Sequence, residues 1–269
     1  MLLMLHPPEL SWAVRQDTSS SGDACVLQIH PLAGLYTLAM PSAMGIFITF
    51  EGLDGCGKTT QLVRLADNLK ARGLDVLGTR EPGGSAVGER IRAILLDSRT
   101  AGLASFAELA LMFADRAQHL EEVIQPALRM GKIVLCDRYT DSTEAYQGYG
   151  RHLGSELVLS LHRELCRDLW PSLTLLLQAE AKASVNRARN RNKSTASKEG
   201  RFEAESAAFF LRVQKGFETI ARRERKRVVR VASGTVQSVE AEILKIIDKR
   251  FPHLGGRKSK FPAAVGSRI

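Results

Sequence analysis

The stretch Gly52-Leu53-Asp54-Gly55-Cys56-Gly57-Lys58-Thr59 constrains this chain more than any other feature. It fits the pattern G-x-x-x-x-G-K-[ST], and its surroundings are those the pattern needs. An apolar run, Ile46 to Glu51, reads as a strand leading in. A run from Lys58 to Arg72 leads out as a helix, with Leu62, Leu65, Ala66 and Leu69 on one face. A glycine-rich turn between such elements lets backbone N–H groups converge, and the helix N-terminus adds positive potential. Phosphate oxygens are what that arrangement binds. Lys58 is placed to reach β- and γ-phosphates, and the Thr59 hydroxyl to meet Mg²⁺.

The rest of the chain repeats the strand-then-helix rhythm. Asp75 to Glu81 reads as a strand, and Pro82-Gly83-Gly84 turns into a helix reaching Asp97. Two helical stretches follow, Phe106 to Arg116 and Gln118 to Met130, before the apolar strand Ile133 to Cys136. A helix is expected over Ser155 to Asp168, a strand over Leu173 to Gln178, and a helix from near Lys182 into the polar stretch Asn190 to Gly200. Glu203 to Arg225 reads as a long helix, Val228 to Ala232 as the last strand and Val236 to Arg250 as the last helix. Short apolar strands alternating with helices predict an α/β fold: a parallel five-stranded sheet with helices on both faces. Ligands of such sheets bind beyond the strands' C-terminal ends. Asp137 therefore comes to the phosphate site, where it could organise Mg²⁺ or its waters, and Arg138 beside it can grip a phosphate in bidentate fashion. A turn-capping aspartate and a surface arginine are the plain alternatives.

Composition narrows the partners. The 269 residues carry a formal net charge of +9, which favours anions. The excess is local: Lys182 to Arg230 holds 15 Lys or Arg against 5 Asp or Glu, a net of +10. Cys25, Cys56, Cys136 and Cys166 form no C-x-x-C pair and have no histidine at ligand spacing, so a reducing, cytoplasmic setting fits better than disulfides or zinc. Residues 1–44 show no periodic pattern and read as a loose extension, or as sequence upstream of a true start at Met44. The uncharged window Pro31 to Phe50 is broken by Pro41 and Gly45, so no membrane span is expected there. Residues 45–251 read as the folded domain, with a lid over about 187–201, and 252–269 as a basic tail.

Three blocks together resemble the thymidylate kinases, a P-loop nucleoside monophosphate kinase family. The first runs from Phe50 to Gln61. The second is Arg80-Glu81-Pro82-Gly83-Gly84 followed by Gly88-Glu89-Arg90-Ile91-Arg92. The third is Asp137-Arg138-Tyr139 continuing through Ser142-Thr143 to Ala145-Tyr146-Gln147-Gly148. The resemblance covers about residues 45–250 and implies transfer of the ATP γ-phosphate to dTMP, giving dTDP and ADP for dTTP biosynthesis, with Mg²⁺ as cofactor. ATP is expected at Gly52, Leu53, Asp54, Gly55, Cys56, Gly57, Lys58, Thr59 and Thr60, and the metal, as the loop and the end of the strand already suggest, at Thr59 and Asp137.

By the same resemblance Asp54 meets the deoxyribose 3′-hydroxyl, and Glu81 begins a turn in which Pro82 is expected to be cis. Arg92 and Arg138 lie near the acceptor phosphate. Arg116 reads the thymine edge, Thr143 and Gln147 contact the base, and Tyr146 crowds the sugar C2′. Taken singly, Tyr146 could be a core residue and Arg92 or Arg116 a helix-surface charge. The family's stacking aromatic lies four residues before the base-reading arginine. Here that place holds Met112, with Phe113 one step later, and both stay open as base contacts. Gly55 and Cys56 stand where one subclass has a catalytic arginine. The chain therefore looks like the other subclass, whose lid supplies it from among Arg187, Arg189, Arg191 and Arg201, with Arg191 preferred. The expected catalytic set is Lys58, Arg138, Asp54 and Arg191. A homodimer is implied by resemblance only.

Two rival readings stay open: a kinase for another deoxynucleotide or a nucleoside, and a P-loop nucleic-acid-binding protein. The second is disfavoured because Asn186 to Arg201 has no aromatics interleaved for base stacking, so no specific nucleic-acid partner is expected. The aperiodic extension generates a test. A chain beginning at Met44 is expected to fold and to keep its activity, read by thermal melting and by turnover against the full-length protein.

Overall fold

A computed structural model describes residues 45–255, except 101, 181–183, 185, 188–189 and 191–199. The extension, the tail beyond Gly255 and most of the basic stretch therefore lie outside the described residues, Arg189 and Arg191 among them. Five strands form one wholly parallel sheet: β1 (Ile46–Glu51), β2 (Val76–Arg80), β3 (Ile133–Asp137), β4 (Leu173–Leu177) and β5 (Val228–Val231). Their order is β2-β3-β1-β4-β5. The chain first grows the sheet to one side of β1, then returns to add β4 and β5 on the other. That reversal opens a crevice beyond the C-terminal ends of β1 and β3, the usual ligand position in such sheets.

The strands are buried on both sides, and alternation sorts their side chains. Ile48 and Phe50 of β1, and Ile133 and Leu135 of β3, join one core with α1 (Lys58–Ala71) and α8 (Val236–Arg250). Phe47, Val134 and Cys136 point the other way, onto α3 (Ser105–His119), α4 (Gln125–Arg129) and α6 (Ser155–Leu165). A third cluster packs α7 (Ala207–Arg223) through Phe209, Val213, Phe217 and Ile220 against Ala145 and Tyr146. The expected fold class, with helices on both faces, is what the chain adopts. The packed body also runs slightly past the expected boundary, since Pro252–Leu254 forms a 3₁₀ turn whose Leu254 is buried in the first core.

Three local readings change. The two stretches expected after Phe106 are one helical run, because α3 passes through a π turn at Leu120–Ile124 into α4. Glu203 does not begin the long helix: α7 starts at Ala207, capped by the Ser206 side chain, which accepts from the Phe209 N–H. Thr140–Gly150, to which no periodicity assigns an element, is helical, as α5 (Thr140–Thr143) and a π turn at Glu144–Gly150. Its buried residues run consecutively rather than on one stripe, which is why no period reveals it. The remaining element, α2 (Ala86–Leu96), is capped by Ser85. Among the described residues no helix is long and apolar enough to cross a membrane.

Leu135 in the central β3 is fully buried. Leu135→Ala is expected to lower the unfolding free energy by about 2–5 kcal/mol, through lost burial and a residual cavity. Urea unfolding checks it.

Candidate active site

The phosphate cradle follows from backbone conformations that only its sequence permits. Gly52 has φ 134°, and a side chain there would put Cβ 2.6 Å from the Leu177 carbonyl oxygen. Gly57, at φ 99°, caps α1 with no side-chain hydrogen bond, whereas α2, α7 and α8 are capped by Ser85, Ser206 and Thr235. The first N–H groups of α1 are thus left for an external anion. Lys58 Nζ donates to the carbonyls of Leu53 at 2.9 Å and Gly52 at 3.2 Å, holding the ammonium at the loop. The Thr59 hydroxyl donates to the Asp137 carboxylate, so the two expected metal residues meet on the same side of the cradle.

Arg138 joins this cradle to a second site. It follows β3 with φ 74°, a left-handed conformation unusual for a residue with Cβ. Its guanidinium donates to the Gly52 carbonyl at 3.0 Å, to Ser142 Oγ at 2.8 Å and to Asp54 Oδ1 at 2.5 Å. The Tyr146 hydroxyl donates to the other Asp54 oxygen at 2.8 Å. Burial would raise the Asp54 carboxyl, but the Arg138 and Lys58 charges and the Tyr146 hydrogen bond outweigh it and hold it at about 2. Beneath Arg138 lies Glu51, fully buried, accepting from the Tyr139 N–H at 2.7 Å and from Ser142 Oγ. Burial and the Asp141 charge push its carboxyl up to about 8.

Beside the cradle lies a cavity of about 760 Å³, counting the open space at its mouth. Of the residues expected at the acceptor, Asp54, Glu81, Arg92, Met112, Arg116 and Arg138 line it, together with Thr143, Tyr146 and Gln147. Phe113 does not. It is buried in the core, its ring centroid 5.0 Å from the Arg116 guanidinium carbon. Tyr139 flanks the same guanidinium at 5.1 Å. Arg116 is itself buried: Nε donates to Glu81 Oε2 at 2.7 Å, one Nη to Thr143 Oγ1 at 2.9 Å, and Nη1 has no partner among the described residues. The other Glu81 oxygen meets His119 Nδ1 at 3.0 Å, and His119 Nε2 meets Thr79 Oγ1 at 2.7 Å. Glu81, His119 and Cys136 converge closely enough to suggest a metal site. Both Glu81 oxygens are already engaged, so the cluster is a hydrogen-bond relay behind Arg116. The Glu81–Pro82 bond is cis, as expected, and Arg92 donates to the Pro82 carbonyl at 2.9 Å.

Sequence reading missed several residues of the wall, Phe202, Leu96 and Asp115 among them. Phe202 lines the cavity and meets the Tyr146 ring edge-on at 5.7 Å. Nothing in the periodicity marks it, since it precedes α7. Leu96 ends α2 at the cavity. Asp115 accepts from the Gly83 N–H at 2.9 Å and is pushed up to about 7 by burial and by the neighbouring Glu81.

The four candidate lid arginines separate. Arg187 is exposed and donates to the Gly55 carbonyl at 2.9 Å, at the rim of the cradle. Arg201 is buried, paired with Glu108 at 2.6 Å and bonded to the Leu95 carbonyl. It is an anchor fixed in the body of the protein, not the free lid charge it was expected to be among. Arg189 and the preferred Arg191 lie outside the described residues.

The thymidylate kinase family model matches residues 50–243 of this chain. The chain belongs to the thymidylate kinase family. It is 54% identical over 184 residues to a thymidylate kinase of Desulfovibrio desulfuricans, covering 68% of this chain and 85% of that one. A thymidylate kinase of Solidesulfovibrio magneticus is 50% identical over 184 residues, covering 68% and 88%. The crystal structure of the thymidylate kinase from Ehrlichia chaffeensis superposes with a TM-score of 0.62 at 33% identity, covering 76% of this chain and 99% of that one. The chain is accordingly a dTMP kinase, a phosphotransferase of nucleotide biosynthesis, and neither rival reading is supported.

The Asp54 pair fixes a pH dependence. Asp54 is ionised in both folded and unfolded chains above about pH 5, so there its pairing stabilises the fold fully. That contribution, about 2 kcal/mol, is lost as pH falls through about 2. Asp54→Asn is expected to flatten the fall in unfolding free energy between about pH 4 and pH 2, measured by urea melts. The slope is the readout, because the substitution also unpairs Arg138.

Proposed function

We propose that the enzyme takes the γ-phosphoryl group from ATP in the cradle and passes it to a dTMP phosphate held in the adjoining cavity, releasing dTDP and ADP. The observation that carries this reading is that Asp54, Glu81, Arg92 and Arg138 line both the cradle's cleft and the cavity. Two anions can then meet across one set of cationic and hydrogen-bonding groups.

The acceptor phosphate is anionic near neutral pH, so it needs no strong base to become a nucleophile. One of its oxygens attacks the γ-phosphorus, the bond to the β–γ bridging oxygen breaks, and that oxygen leaves with ADP. The barrier lies in bringing two polyanions together and in charge building on the transferring group. Lys58 and the uncapped N-terminus of α1 hold the donor phosphates. Arg138 and Arg92 hold the acceptor phosphate, and Asp54 keeps the Arg138 fork aimed while accepting from the sugar hydroxyl. Tyr146, fixed by Asp54, crowds the sugar C2′. Arg116, Thr143 and Gln147 face the base, with Met112 as the apolar contact on α3 and Phe113 supporting Arg116 from behind.

Thr59 and Asp137 offer hard oxygen donors at one point of the cradle, which suits Mg²⁺. Bound there, the ion would neutralise charge on the donor phosphates. A further cation is assigned to the basic stretch after β4, with Arg191 kept as the expected residue and Arg187 supported by its place on Gly55. Homodimer formation belongs to this reading on family grounds alone.

The test is an ADP-release assay with ATP against a panel of nucleoside monophosphates. dTMP is expected to be preferred, and Lys58→Ala to lower turnover at least about a hundredfold in a protein with unchanged melting. A preference for another monophosphate would overturn the acceptor assignment, and near-normal turnover by the variant would overturn the role of Lys58.

A further inference from the structure

Glu108 lies on α3, two turns before Arg116, and its side chain is fully buried. Three donors converge on it. Gln147 Nε2 donates to Oε1 at 2.7 Å, Arg151 to both oxygens at 3.1–3.2 Å, and Arg201 Nη1 to Oε2 at 2.6 Å. Burial would raise this carboxyl, but the hydrogen bonds from Arg151 and Gln147 and the Arg201 charge outweigh it and hold it below the usual range. Two guanidinium groups therefore keep it a carboxylate, which can only accept.

That fixes the Gln147 amide. An amide can turn either end toward a neighbour, but an acceptor-only neighbour admits only the NH₂ end. Gln147 lines the cavity, so the atom left to face it is Oε1, which accepts no hydrogen bond among the described residues. On the same wall the buried Arg116 Nη1 is a donor without a partner. The wall thus offers a donor and an acceptor. A thymine edge answers with a carbonyl oxygen and the N3–H. A cytosine edge inverts both, with an amino group and an unprotonated N3.

We propose that Glu108 is a specificity-positioning residue: it clamps the Gln147 amide so that only its oxygen faces the base, admitting a pyrimidine with an N3–H and refusing cytosine. This rests on the dTMP-kinase reading. Glu108 touches neither substrate nor phosphate and acts through Gln147.

The experiment compares kcat/KM for dTMP and dCMP in the full chain. Glu108→Gln leaves a neighbour that can donate as well as accept, so the Gln147 amide can turn over. The dTMP/dCMP ratio is expected to fall at least tenfold, mainly through the KM values. Gln147→Met is expected to lower the ratio comparably, and the double variant no further than the larger single effect, because the two act as one unit. A merely structural role would reduce turnover on both nucleotides and leave the ratio unmoved. A ratio within twofold of wild type in folded Glu108→Gln or Gln147→Met overturns the proposal. Should Glu108→Gln fail to fold, the charge-balanced pair Glu108→Gln with Arg201→Met makes the same comparison. If that also fails to fold, Glu108 is a determinant of the fold and the proposal falls. Absence of dTMP turnover by the wild-type enzyme would instead overturn the function beneath it.

Discussion

The pair between Arg138 and Asp54 is the interaction on which the site depends. Asp54 belongs to the turn after β1 and Arg138 to the turn after β3, and the two strands are hydrogen-bonded neighbours with Phe50 opposite Asp137. The sheet brings the two turns together, and the pair then fixes their side chains. One guanidinium satisfies a cradle carbonyl, the Asp54 carboxylate and Ser142 at once, so the cradle and the cavity share a wall instead of merely adjoining. The left-handed backbone at Arg138 is what this costs locally, typically about 1–3 kcal/mol. Glu51 beneath it offsets that cost by gripping the Tyr139 N–H and Ser142.

The same device recurs through the body of the protein. Glu81 with Arg116, Glu108 with Arg151 and Arg201, Glu144 with Arg223, and Asp141 with Arg227 are carboxylates almost wholly removed from water and each matched by arginine. Buried pairs of this kind are weak sources of net stability, since desolvation consumes most of the attraction, but breaking one leaves a costly unpaired charge. Their effect is geometric. Each ties a segment to α3 or to the helical run after β3, and Met112, Arg116, Thr143 and Gln147, which line the cavity, sit on those two elements. The part of the cavity wall built by these two elements is therefore tied to the rest of the protein by charge pairs.

How far the sequence reveals this depends on the range of the forces involved. The cradle, the strands and the order of the blocks are written in local patterns, so Gly52 to Thr59, Asp137 and the α/β class are legible without a structure. Thr140–Gly150 is not, because a segment buried on all sides carries no amphipathic period. The choice between Met112 and Phe113 needed the rotation of α3: consecutive residues lie about 100° apart on a helix, and the fold turns 112 to the cavity and 113 to the core. Phe202 was invisible for a different reason. It reaches the cavity through contacts of its flanking segment with Leu95 and Leu96, more than a hundred positions earlier in the chain, and no local pattern encodes a neighbour at that distance.

Arg201 and Arg187 show why a cluster of basic residues cannot be given one purpose. In the sequence they flank one polar stretch and contribute alike to its net charge. Burial separates them. Arg201 has its guanidinium committed to Glu108 and a backbone carbonyl, so withdrawing it toward a phosphate would strand a buried carboxylate with fewer partners. Arg187 is exposed, and its guanidinium donates to the Gly55 carbonyl on the cradle. An incoming phosphate can compete for that single exposed bond at little cost, because solvent already competes for it. Positive charge available to the reaction is thus set by what each arginine would have to give up, and on that measure Arg187 is available where Arg201 is not.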